Sequence, residues 1–475
     1  MTTTRSGALA PHARRIALLV ASAFFMENLD ATVIVTALPQ MADSFGVNAV
    51  DVSIGITAYV LTVAIFIPAS GWVADRFGHR SVFSAAIALF TLASILCACS
   101  TSLWVFTGAR VLQGLAGAMM VPVGRLAVLN NTPKDDLVKA IAYLTWPGLT
   151  APVLGPPIGG FITTYASWHW IFLLNVPLGL IALVLAWRLI PANAGSIVRA
   201  QFDTTGFVLC ALACLGLLYS LEKIGQDVAA WPFPLALLVA GGVLGGVLFR
   251  HCRRHPAPLL RFDNFNVTTY AVTIFGGSVF RAMVSAMPFL LPLMFQLGFG
   301  YDAFTSGLLV LTLFAGNIGM KPMTGWVLRN YGFRQSLLAS VLILAATVFA
   351  CAFFTQDTPL FILLPVLLLS GMARSMGFTV YATMAFADIP KDRMTGANTL
   401  FSMAQQFAFG LGVAIAAILL RLGETFDSGT GHQLGHFHFA WVVIGILTLL
   451  SLVDGMRLPV NAGAAVSGHG KPRAN

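Results

Sequence analysis

Glu27 and Asp30 lie inside the apolar run 16–39. They are three residues apart, so on a helix they share a face. An ionised carboxylate at the centre of a bilayer costs about 2.5–3.5 kcal/mol on insertion scales. Two such groups are kept only if they are paired, protonated or used, and the chemistry they offer is reversible proton binding. Cations recur at comparable positions. Arg110 lies in the apolar stretch 104–128, with Gln113 one helical turn away, and Arg281, Lys321 and Arg374 lie in apolar stretches further on. Asp30 is the first candidate proton carrier, with Arg110 as its partner, and Glu27 is the second. One turn apart, the two acids can titrate as a coupled pair, so their roles are interchangeable at this stage.

The rest of the chain must hold these groups in lipid. Of its 475 residues, 57% are hydrophobic and 9% charged, and its mean hydropathy is +0.84. A water-soluble protein of this length does not leave so little polar surface. Fourteen apolar stretches are predicted to be helical spans: 16–38, 54–74, 82–99, 104–128, 140–162, 170–190, 204–221, 232–250, 267–291, 305–328, 335–354, 359–385, 396–420 and 438–456. Most Lys and Arg fall in the tails and even-numbered connections, including Arg76, Arg80, Lys134, Lys139, Arg253, Arg254, Arg329, Arg334, Lys391 and Arg393, whereas Lys223 and Arg421 fall in the others. That asymmetry puts both termini in the cytoplasm, and it accounts for the net charge of +9 without nucleic acid. The N-terminal run is too long for a cleaved signal and reads as a retained first span. With this topology, Arg110 lies ~9 Å and Asp30 ~13 Å below the outer helix ends, so they can meet. The alternative is an arginine snorkelling to the outer surface. The six cysteines show no CxxC and read as packing residues. His432, His436 and His438 read as solvated loop histidines, because no carboxylate or Cys completes a metal site.

An internal repeat orders the spans. Pro68-Ala-Ser-Gly71-Trp72-Val73 followed by Gly78 and Arg80 recurs as Pro322-Met-Thr-Gly325-Trp326-Val327 followed by Gly332 and Arg334. Both copies leave an even-numbered span on the same side, so the repeats are parallel. The predicted organisation is a six-helix bundle (1–190), two inserted helices with linkers (191–265), a second six-helix bundle (266–457) and a cytoplasmic tail (458–475). The offset carries Glu27 onto Arg281, which suggests that these two face a central cavity from opposite bundles.

Five motifs resemble one family. Gly71-Trp-Val-Ala-Asp75-Arg76-Phe-Gly78-His79-Arg80 resembles the cytoplasmic loop signature of the major facilitator superfamily, with Val73 and His79 as mild departures. The second copy has Arg329 where Asp75 stands, so only the first half can form that acidic latch. Arg110-Val-Leu-Gln113-Gly114 resembles the family's fourth-span motif. Gly148 to Gly160, containing Gly155-Pro156-Pro157-Ile-Gly159-Gly160, resembles the fifth-span motif of its drug exporters, with Ala151 in place of a glycine. Leu29-Asp30-Ala-Thr32 through Pro39, and Asn175-Val-Pro177-Leu-Gly179 after the segment 168–173, are similar to signatures of the fourteen-span drug:proton antiporter branch.

The resemblance implies an all-α membrane protein working by alternating access, its bundles rocking around a central site. Its implied role is proton-coupled efflux of small organic compounds from a bacterial-type inner membrane, as a monomer, with the proton gradient as energy source and no cofactor. Asp30, Glu27 and Arg110 would couple the proton. Glu27, Gln113, Arg281 and Lys321 would line the substrate cavity. Gly71, Asp75, Arg76, Gly78, Arg80, Gly155, Pro156, Gly159 and Gly160 would govern the conformational change. The sequence contains no nucleotide-binding G-x-x-x-x-G-K-[ST] stretch and no catalytic constellation. A nutrient-uptake symporter on the same fold is the alternative. Lys321 and Arg374 could instead pair with backbone carbonyls, and three cations against two acids would also suit an anionic or zwitterionic substrate.

Overall fold

A computed structural model of the chain describes residues 9–47, 49–192, 201–226, 232–427 and 434–459, with 462, 463 and 466. Among these residues there is no β-strand. The helices are α1 (Pro11–Phe45), α2 (Ala49–Phe77), α3 (His79–Ala98), α4 (Leu103–Asn130), α5 (Leu137–Tyr165), α6 (His169–Leu173), α7 (Asn175–Leu189), α8 (Thr204–Gln226), α9 (Pro232–Arg254), α10 (Thr268–Leu293), α11 (Ala303–Gly319), α12 (Lys321–Cys351), α13 (Leu360–Ala387), α14 (Met394–Asp427) and α15 (Gly435–Met456). Their ends follow local chemistry. Ser102 caps α4 by accepting the Val105 N–H, Asp302 does the same for α11 through Thr305, and Gly46 closes α1 in the left-handed conformation.

Among the described residues, twelve helical segments are long and apolar enough to cross a membrane. The remaining two of the fourteen expected positions fall on α5 and on α11, which is apolar but only 17 residues long. The expected continuous span 305–328 is interrupted at Met320. Pro322 has no N–H to give the preceding turn, so the helix ends at Gly319 and restarts at Lys321. It breaks again at Gly332, whose φ is 70°.

That break supports the repeat. Gly78, at the start of α3, has φ 81°, and Gly332, its mate in the second copy, has φ 70°. Both lie where side chains are strained, so glycine is required at the same corner of each half. Gly332→Ala is expected to cost about 1–3 kcal/mol, read as a lower thermal midpoint in detergent. An unchanged midpoint would show that the corner carries no strain.

The chain groups into two compact units, Met1–Thr204 with Met394–Thr399, and Thr205–Arg393 with Leu400–Asn475. The inserted helices α8 and α9 therefore belong with the second unit. In the first, Leu29, Val33 and Ala37 of α1 pack with Phe106 and Ala109 of α4 and with Trp168 and Phe172. In the second, α13 packs closely on α11: a Cβ at Gly316 would overlap the Leu368 carbonyl, and one at Gly371 the Leu313 carbonyl. All six cysteines are free, and Cys210, Cys214 and Cys252 share an apolar cluster with Leu248 and Leu260.

Candidate functional site

The first unit buries a polar network around Asp30, which is 2% exposed. Arg110 of α4 donates from Nη1 to Asp30 Oδ2 at 2.6 Å, with both side chains fully enclosed. Gln113 Nε2 donates to Asp30 Oδ1 at 2.9 Å, and Asn175 Nδ2, at the start of α7, donates to the same oxygen at 2.8 Å. Ser94 of α3 accepts from Gln113 at 2.9 Å and donates its own hydrogen bond to the Phe90 carbonyl at 2.9 Å. Arg110 also donates to the Gln113 amide oxygen, and its guanidinium lies 4.3 Å from the centre of the Tyr59 ring. Both oxygens of Asp30 are thus occupied, one by a cation and the other by two amides.

Glu27 stands one turn away in a different setting. It accepts a hydrogen bond from the Tyr59 hydroxyl, while its Oε2 is buried with no partner among the described residues. Gly117 makes the room: a Cβ there would lie 3.1 Å from the Tyr59 hydroxyl and 3.2 Å from Glu27 Oε1. Tyr59 touches both Glu27 and Arg110, and so links the two acids. Gln113, read from sequence as cavity-lining, is wholly buried inside the Asp30 network. Sequence reasoning missed Ser94 and Tyr59, and it noted Asn175 only as part of a motif.

α5 packs extensively against α1, and two motif glycines lie at the contact. A Cβ at Gly155 would overlap the Thr32 hydroxyl. One at Gly159 would overlap the Thr36 hydroxyl and come within 2.9 Å of the Val33 carbonyl. Gly160 faces open space. Pro156 lies within α5, but its side chain is outside the described set. Gly159→Leu is expected to force α5 off the helix that carries both acids, lowering the thermal midpoint and abolishing transport together. Normal transport with that leucine would rule out the tight seam.

Asp75 ends the second span as expected, and it accepts a hydrogen bond from Thr395 Oγ1 at 2.9 Å, within the first unit. Gly71 lies beside it, where a Cβ would overlap the Thr399 hydroxyl. Arg80 stacks 4.5 Å from the Trp187 ring centre, and Arg76 is half-buried in the last turn of α2. Asp75→Ala removes the acceptor, whereas Asp75→Asn keeps one and removes only the charge. Slower turnover is expected for both at equal protein level, with alanine the slower; equal rates would mean that the Thr395 bond is inert.

In the second unit the three expected cations are separately placed. Arg281, 1% exposed, donates to the Thr273 carbonyl at 3.3 Å and lies 4.6 Å from the Phe401 ring centre. Arg374, 8% exposed, lies 5.5 Å from the Phe314 ring centre. Lys321 is half-buried and donates to Thr379 Oγ1 at 2.9 Å. Among the described residues neither arginine meets a carboxylate. A cation–π contact returns about 0.5–2 kcal/mol, less than the several kcal/mol of desolvating the ion. Of the histidines expected in a loop, His438 lies in α15 and meets the Phe354 carbonyl at 3.1 Å, while His432 lies outside the described residues.

Comparison with known proteins agrees with this architecture. The family model of the Major Facilitator Superfamily matches residues 20–413 and 273–463. A protein named multidrug resistance protein MdtD from Pectobacterium carotovorum is 36% identical over 436 residues, 91% of this chain and 93% of that one. Its namesake from Cronobacter sakazakii is 37% identical over 446 residues, 93% and 94% of the two chains. Among solved structures, the human organic anion transporter MFSD10 superposes with a TM-score of 0.69 at 13% identity, over 94% of this chain and all of that one. The proton:xylose symporter XylE gives 0.65 at 14%, over 95% and 97%. At such identities the two structures speak for the fold alone.

Proposed function

The chain belongs to the major facilitator superfamily, a family of membrane transporters, and from that premise we propose that it is a proton-coupled exporter of small organic compounds. It is a multi-pass membrane protein and not an enzyme. The names of its relatives favour efflux, and the charge distribution favours an inner membrane with both termini cytoplasmic. The observation that carries proton coupling is the pair of unlike acids on one face of α1. Asp30 is saturated by Arg110, Gln113 and Asn175, whereas Glu27 keeps an unused buried oxygen.

In this reading Glu27 Oε2 takes the proton in the present conformation. Asp30 stays paired with Arg110. Tyr59, in contact with Glu27 and Arg110, passes the change between them. Substrate and proton then bind in conformations that open alternately to the two sides of the membrane. The test is purified protein in sealed vesicles with an imposed pH gradient. Substrate is expected to move against the proton flux. Movement with the proton flux would make the chain an uptake symporter, and movement indifferent to the gradient would remove proton coupling altogether.

A further inference from the structure

We infer that the interior of the second unit, around the middle of α13, recognises an anionic group such as a carboxylate or sulfonate on the transported compound. The inference rests on the transport reading above and names the substrate class. Arg374 is 14 residues from the start of α13 and 13 from its end, so it lies about 20 Å along the helix from either end. Arg281 is equally central in α10. In helices that cross a bilayer with a hydrocarbon core ~30 Å thick, both guanidinium groups sit near the midplane, out of reach of lipid headgroups.

Their hydrogen-bonding capacity is unspent. Arg281 Nη2 and Arg374 Nε and Nη1 are buried without a partner among the described residues. So are both side-chain polar atoms of Asn317 on α11 and the hydroxyl of Ser375 beside Arg374. These atoms are spread along about three turns of α13. Arg281 packs against Tyr381, two turns along α13 from Arg374, and a Cβ at Gly371 would lie 2.9 Å from the backbone nitrogen of Asn317. Lys321 reaches the same stretch of α13 through Thr379. The first unit, by contrast, neutralises its deep arginine with Asp30. Two buried arginines with open donors and, among the described residues, no carboxylate in contact are what an incoming anion completes: it supplies the charge and accepts the idle N–H groups.

The test uses two xanthene dyes that share a ring system and differ in charge, carboxyfluorescein (anionic) and rhodamine 123 (cationic). The full chain is reconstituted in vesicles of phosphatidylcholine alone, so that no anionic lipid competes. Carboxyfluorescein is expected to be transported in preference to rhodamine 123. Arg281→Gln and Arg374→Gln should each slow the anionic dye by about tenfold or more with little effect on any cation flux, and Arg281→Lys should restore part of the rate. In detergent, carboxyfluorescein should raise the thermal midpoint of the wild-type protein, and rhodamine 123 should not. Transport of rhodamine 123 alone would keep the exporter reading and overturn this one. Equal loss of both dyes in the glutamine variants would reduce the arginines to structural roles. Transport of neither dye, with no thermal shift, would count against both readings.

Discussion

Arg110→Ala is expected to abolish transport and destabilise the first unit. The substitution leaves Asp30 charged at depth with only two amide donors, Gln113 and Asn175, and breaking one side of a buried ion pair typically costs about 3–5 kcal/mol. It also removes the cation stacked on Tyr59, so the connection to Glu27 is lost as well. The double variant Asp30→Asn with Arg110→Gln should be milder in stability, because it leaves no unpaired charge, yet it should remain inactive. The check is a thermal midpoint beside vesicle transport for the single and double variants. A double variant no more stable than Arg110→Ala would mean that the pair is not what holds the two helices together. An active double variant would remove the pair from the mechanism.

The second large effect is expected at Glu27. Glu27→Gln preserves shape and can still accept the Tyr59 hydrogen bond, but it carries no exchangeable proton. Transport driven by a pH gradient should fall to the level of passive leak, while exchange of substrate for substrate across vesicles without a gradient should continue. Survival of gradient-driven transport would exclude Glu27 as the group that loads. Tyr59→Phe offers a finer reading: it keeps the ring under Arg110 and removes the hydroxyl from Glu27, so coupling should weaken without the collapse expected of Arg110→Ala.

Much of this was legible in the sequence because lipid makes charge conspicuous. Asp30 and Arg110 could be matched by depth, since only Glu27, one turn away, lay as deep in an apolar run. The repeat was readable because Gly78 and Gly332 answer the same backbone demand. The neutral members of the network were not readable. Ser94 and Tyr59 are of types that sit in membrane helices for many reasons, and only the fold brings them to the acids from two other helices. The break at Met320 was missed because hydropathy runs unchanged through it, although Pro322 was a local signal that the preceding turn would lose a hydrogen bond. Arg281 was placed by repeat arithmetic opposite Glu27. Its surroundings, Thr273, Tyr381 and Phe401, come from three helices whose mutual packing no single-sequence pattern encodes.

The central claim is that Glu27 carries the exchangeable proton while Asp30 stays paired with Arg110. The most direct measurement is proton release on adding transported substrate to purified protein in weakly buffered detergent solution, compared across wild type, Asp30→Asn and Glu27→Gln. Release from wild type and from Asp30→Asn, with none from Glu27→Gln, is the predicted result. Release that persists in Glu27→Gln and disappears in Asp30→Asn would contradict it and make Asp30 the proton carrier.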